Sequence, residues 1–316
     1  MPDPPALHQK ALPVLCMALA LLLASCGQAA EVATVSPTTT KAPFAPVSGE
    51  SNGVRWRTLD LEDEANAEVK EELLRRQDKD QQTEFPMGGK KIIYGTYGNE
   101  HDKIEMVDEA GKRTVLLETD KVEATDEMNE RPPEMSWRYP KFNAILDDRY
   151  FLYVWMGWSW GINMGIYDTK EMKEITIIDY VLNTVKVQGN YIYYVDAVSE
   201  EEYNGEPHLY AYDWTAIKRG EPVKGVDLLA GFNGPDACFG DRLLTDDLRY
   251  YLATEGRYVD EVCWEDSVRI YDLANKKLLT TLTEPDFPID KLEEWNGKIY
   301  WVKYSDADCA LEITLP

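Results

Sequence analysis

Arg149-Tyr150-Phe151-Leu152-Tyr153-Val154-Trp155 and, a short loop later, a second run ending Ile166-Tyr167-Asp168 set a pattern that recurs from about residue 90 onward. The first run is aromatic and β-branched, as a buried strand is, and turn-forming residues lie on either side of the pair. It reappears as Lys91-Ile92-Ile93-Tyr94-Gly95-Thr96-Tyr97, Tyr191-Ile192-Tyr193-Tyr194-Val195, Arg249-Tyr250-Tyr251-Leu252-Ala253 and Lys298-Ile299-Tyr300-Trp301-Val302-Lys303-Tyr304. The partner's ending reappears as Met106-Val107-Asp108, Ala211-Tyr212-Asp213 and Ile270-Tyr271-Asp272, with a degenerate copy in Leu311-Glu312-Ile313-Thr314. Asp147-Asp148, Gly189-Asn190, Asp246-Asp247 and Asn296-Gly297 precede the aromatic strands as tight reversals.

The strand-end aspartates fall 60, 45 and 59 positions apart, close to the roughly 50 residues that a four-stranded blade needs. A third strand follows the turn in Lys173–Ile178 and Lys277–Leu282. Over about residues 90–316 this pattern resembles the β-propeller class of extracellular repeat proteins. No Gly-His…Trp-Asp signature accompanies it, so the resemblance implies architecture alone. The expectation is an all-β propeller of about five blades, with a sixth left open in Val122–Asn143. An irregular β-sandwich is the alternative, but it gives no reason for one strand ending to recur. The last copy runs out at Pro316, and a strand at Val54–Leu61 is placed to complete its blade, which removes a free sheet edge. The aspartates read as structural acceptors for the amides of the turn that follows each of them.

Ahead of the repeat, Glu62–Gln82 carries Leu61, Ala65, Val69 and Leu73 at helical spacing among charges, the pattern of a solvated helix with a thin apolar stripe. Earlier still, Lys10 precedes the apolar run Ala11–Ala24. As a helix that run spans about 21 Å, short of the ~30 Å bilayer core, so residues 1–25 read as a signal peptide. Leu23-Ala24-Ser25-Cys26-Gly27 resembles the bacterial lipobox, which implies cleavage before Cys26 and its diacylation. Two acyl chains suffice for stable attachment. Residues 26–53, rich in Ala, Thr, Ser and Pro, are then a tether reaching ~25–30 Å, and residues 54–316 are the folded domain. The expected place is the extracytoplasmic face of the cell membrane, with membrane lipid as the partner of Cys26.

The chain's net charge of −24 repels phosphate backbones and disfavours nucleic acid as a partner. Cys238, Cys263 and Cys309 lie in the folded domain, and either a Cys238–Cys263 bridge or buried thiols fit them. Beyond the signal only His101 and His208 remain, which argues against histidine-based catalysis or a multi-histidine metal site. Gly157-Trp158-Ser159-Trp160-Gly161 matches the serine-hydrolase elbow, but a strand follows it where that chemistry needs a helix. Asp306-Ala307-Asp308 is too short for a calcium loop, which leaves weak calcium binding open. No cofactor fingerprint is present. The candidate binding residues are Trp155, Trp158 and Trp160, three indoles between two expected strands, suited to stacking on a sugar or anchoring a protein and equally to packing between blades. The function expected is binding without catalysis. The alternatives are a carbohydrate-active hydrolase using paired carboxylates and a sensory or assembly module of an envelope complex.

Overall fold

The computed structural model describes residues 47–80, 83–95, 102–121, 137–156, 161–179, 181–196, 208–222, 224–232, 240–258, 264–285, 291–302 and 309–316. All of them belong to one compact unit, Ala45–Pro316. It opens with strands β1 (Ser48–Ser51) and β2 (Val54–Asp60), a 3-10 turn (Glu64–Asn66) and helix α1 (Ala67–Asp80). Blade 1 comprises β3 (Glu84–Met87), β4 (Lys90–Gly95), β5 (Lys103–Val107) and β6 (Arg113–Glu118). Blade 2 comprises β7 (Asp120–Lys121), β8 (Trp137–Ile145), β9 (Tyr150–Met156), β10 (Gly161–Asp168) and β11 (Lys173–Asp179). Blade 3 holds β12 (Val181–Gln188), β13 (Tyr191–Asp196), β14 (Tyr210–Asp213), the one-turn helix α2 (Ala216–Arg219) and β15 (Val226–Asp227). Blade 4 is β16 (Arg242–Leu244), β17 (Tyr250–Tyr258), β18 (Trp264–Asp272) and β19 (Lys277–Pro285). Blade 5 contains β20 (Lys291–Trp295), β21 (Lys298–Val302) and β22 (Cys309–Thr314).

Every sheet is an antiparallel meander whose strands follow chain order, except the last, whose order is β1-β2-β22-β21-β20. The fold is therefore a five-bladed β-propeller. Strand β2 pairs with β22, Trp56 opposite Ile313, and so closes blade 5 as the sequence predicts. Residues 137–145, from the stretch left open for a sixth blade, form β8 of blade 2 instead. First strands of successive blades are tied to one another: Lys186 Nζ donates to Leu244 O at 3.0 Å, and Leu292 N donates to Asp241 Oδ2 at 2.6 Å.

Period two explains the packing, because alternate residues of a strand point to opposite faces. In β9, Tyr150, Leu152 and Val154 enter the layer shared with blade 3, while Phe151, Tyr153 and Trp155 enter the layer shared with blade 1. In β13, Ile192 and Tyr194 face blade 2, and Tyr193 and Val195 face blade 4. In β17, Tyr251 and Ala253 face blade 3, and Tyr250 and Leu252 face blade 5. Central strands are thus apolar on both faces, which is why they dominate the sequence pattern. The second face of blade 5, with Tyr300, Val302 and Leu59, packs against Leu73 and Val69 of α1. Arg76 fastens the helix further, to Glu293 of β20 at 3.1 Å.

Strand β1 lies where composition places only tether. Its side chains are polar and half or fully exposed, so it leaves no hydrophobic signal, and it is held by backbone pairing to β2. Gly49 is required there. A Cβ at that position would sit 2.4 Å from Trp56 Cζ2, whose ring packs against the backbone of β1.

Candidate binding surface at the loop end

Each blade reverses twice at either end. At one end, here the turn end, the first-to-second and third-to-fourth connections, counted in blade 2 from β8, are short except in blade 3, where α2 lies between β14 and β15. Asn52-Gly53, Gly88-Gly89 and Asn296-Gly297 have positive φ at both central residues, the geometry that matches strand twist. The strand-end aspartates cap the other turns. Asp168 Oδ1 accepts from Lys170 N and Glu171 N, Asp213 from Thr215 N, Asp272 from Asn275 N, and Asp108 from Ala110 N and Lys112 N.

In blades 2 and 4 an arginine completes this clasp. Arg149, just before β9, donates Nε and Nη2 to the two oxygens of Asp168 at 2.8 and 2.6 Å. Arg249 stands in the same place before β17, 3.5 Å from Asp272. The Arg149 fork, ahead of the two turn amides, holds the Asp168 carboxyl down at about 2. For Asp272, burial pushes upward but Asn275 and Arg249 outweigh it, and the group is lowered as well. These aspartates are fully engaged in holding turns.

The loop end is built differently. Second-to-third connections there, such as 96–101, 157–160 and 259–263, lie outside the described residues, as do parts of the links between blades. Among the flanking groups, Trp155 is 3% exposed and sits in the layer between blades 1 and 2. Its Nε1 donates to Glu174 Oε2 at 2.9 Å, and the Arg138 guanidinium lies 4.3 Å above its ring. Arg138 also reaches Asp120 at 3.3 Å. Trp158 and Trp160 lie outside the described residues, as do Cys26, Ser159, Cys238 and Cys263. Nearby, Tyr94 is pushed up to about 12 by burial and then by Asp102 and Tyr139.

Within blade 3, His208 Nδ1 meets Asp227 Oδ2 at 2.8 Å, and the imidazole stacks on Tyr210. Asp227 also accepts from Leu229 N at 2.9 Å, which ties the pair to the end of β15. At the start of β16, Asp241 and Arg242 show a feature that sequence reasoning missed. Burial raises the Asp241 carboxyl despite the bond from Leu292 N. Arg242 is 5% exposed; its Nη1 donates to the carbonyls of Asp241 and Thr254, both at 3.1 Å, while Nε and Nη2 meet no acceptor among the described residues. An arginine opening a polar strand reads as surface in a sequence, and only its burial sets it apart. On the neighbouring blade 5, a groove of about 730 Å³ is lined by Arg55, Trp56, Arg57, Lys298 and Glu312. There Glu312 is already held by Arg57 and Lys298, each at 2.8 Å. Among the described residues no three His, Cys, Asp or Glu side chains gather as a metal-binding group.

No family model and no curated protein matches the chain. Solved structures do match. TolB from Acinetobacter baumannii is 12% identical over 71% of this chain and 51% of its own, with a TM-score of 0.34. An oligogalacturonate lyase in complex with manganese is 13% identical over 72% and 61%, with a TM-score of 0.41. The oligogalacturonate lyase from Vibrio parahaemolyticus is 9% identical over 74% and 67%, with a TM-score of 0.42. The chain therefore spans about half to three fifths of the first two. Likenesses this distant carry no functional argument, and the propeller assignment rests on the five sheets and their order.

Proposed function

We propose that this chain is a lipid-anchored extracytoplasmic binding protein, held to the membrane through Cys26 and meeting its ligand, protein or carbohydrate, at the loop end of the propeller without catalysing a reaction. The observation that carries the reading is the asymmetry of the two ends: turn-end acids are consumed by turns, while the loop end carries the tryptophan-bearing connection 157–160 and a buried arginine fork without an acceptor among the described residues. A ring of packed sheets that carries connecting loops on one rim suits recognition. Upstream, the lipobox-like Leu23–Cys26 and the Ser/Thr/Pro-rich tether supply an anchor and a spacer. Among the described residues no helix is long and apolar enough to cross a membrane.

Two measurements test the reading separately. Mass analysis of the N-terminal peptide of membrane-fraction protein is expected to find diacylglyceryl on Cys26, and Cys26→Ala is expected to release the domain into the soluble fraction. Unmodified Cys26 behind an intact residue 1–25 would refute the anchor. Immobilised full chain is then expected to retain an envelope component that Trp158→Ala and Trp160→Ala retain at least tenfold less; equal retention would remove the tryptophan connection from the binding surface.

A further inference from the structure

We infer that Arg242 is the anchor for a carboxylate group of the ligand, which resting on the loop-end reading above narrows the ligand to a molecule with a terminal carboxylate. A guanidinium has two donor edges, and the one formed by Nε and Nη2 matches the two oxygens of a carboxylate. This protein shows that edge in use: Arg149 grips Asp168 with the same two atoms. Arg242 is held still by Nη1, which is shared between the carbonyls of Asp241 and Thr254. Its Nε and Nη2 are buried and have no acceptor among the described residues.

The neighbouring acid does not supply one. Asp241 turns Oδ2 to Leu292 N of blade 5 at 2.6 Å. By strand alternation Arg242 shares the side of Leu244, in the layer between blades 3 and 4. A buried cation is strongly unfavourable unless paired, and with no acceptor for Nε and Nη2 among the described residues the fork is aimed to receive an oxyanion. Because the residue is 5% exposed, the group that reaches it is small or stands at the tip of a chain. A planar carboxylate engages both donors at once, whereas a halide ion can take only a single point of contact.

The test titrates sodium acetate, with sodium chloride at matched ionic strength, against the thermal unfolding of the full chain. Acetate is expected to raise the midpoint saturably by about 4–6 °C as sites fill, chloride to have no such effect, and Arg242→Lys to abolish the acetate response. Arg149→Lys, which breaks the satisfied fork, is expected to lower the midpoint in both salts yet keep the acetate response. No acetate response in the wild type, or an equal one in Arg242→Lys, overturns the inference. Crystals soaked in bromoacetate give a readout without any variant: an anomalous bromine signal beside Arg242 supports the assignment, and its absence there overturns it. Failure here with retention of an envelope component intact would remove the carboxylate and leave the binding reading standing.

Discussion

The turn end and the loop end of this propeller are made from the same residue types and put them to opposite use. At the turn end Asp147, Asp168, Asp213, Asp247 and Asp272 are all lowered below the ordinary carboxylate value; among the described acids of that end Glu294 is an exception, raised by burial. Each lowered carboxylate accepts from the backbone two or three residues on, so its charge is spent on local geometry. At the loop end the carboxylate Asp241 goes the other way and is raised by burial, whereas burial raises tyrosines at both ends, Tyr94 and Tyr139 at this one and Tyr150, Tyr212 and Tyr250 at the other. Asp241 is thus desolvated without full compensation. The two ends of the blades therefore differ in how completely their described carboxylates are satisfied.

Four substitutions sharpen this contrast. The largest effect is expected from Trp155→Ala, which empties a buried layer between blades and should lower unfolding free energy by about 3–5 kcal/mol in urea denaturation; a change near zero would mean that the indole stands outside the packing. Asp168→Ala comes next. It leaves the Arg149 fork and two turn amides without their acceptor, for a loss of about 2–3 kcal/mol, checked in the same way. Gly49→Ala forces the added methyl into Trp56 at the edge of blade 5, and about 1–2 kcal/mol of destabilisation follows if β1 is held in place. Unchanged stability would show that β1 is dispensable. Smallest is Asp241→Asn, expected within about 1 kcal/mol of wild type at neutral pH, since the amide oxygen can still accept from Leu292 N and the charge removed is one that burial disfavours.

Acid titration distinguishes the same two sets. Asp168 is held at about 2, below its ordinary 3.8, so its contribution is complete above about pH 4 and is lost as pH falls through the folded value. Asp241 is raised, and its sign is opposite: its contribution is complete at low pH and declines as pH rises through its folded value. Unfolding midpoints between pH 7 and 2.5 should therefore fall in the wild type, fall less in Asp168→Asn and fall more in Asp241→Asn, which lacks the gain that protonation of the buried carboxyl brings. Equal acid sensitivity in Asp168→Asn would show that the clasp is not what titrates.

What was legible in the chain follows from this packing. Tyr150–Trp155 is buried on both faces, so the central strands announce themselves as aromatic runs, and the recurring Tyr-Asp ending exposes the repeat because the same turn needs the same acceptor. Short polar strands such as β1 and β7 are held by backbone bonds and leave no such trace. The candidate surface was legible only as a cluster of indoles. Trp155 looks like Trp158 and Trp160 in sequence, yet alternation along β9 buries it between blades. Arg242 carried no signal at all, because a buried and an exposed arginine are spelled alike.

The seam between β2 and β22 ties residue 55 to residue 314. Because these partners stand so far apart in the chain, closing their blade is among the longest-range steps of folding, while the four blades between pair strands that are near neighbours in sequence. Completion of the ring is thereby a late event, and a chain truncated by even the last strand is left with an open, pairing-competent sheet edge.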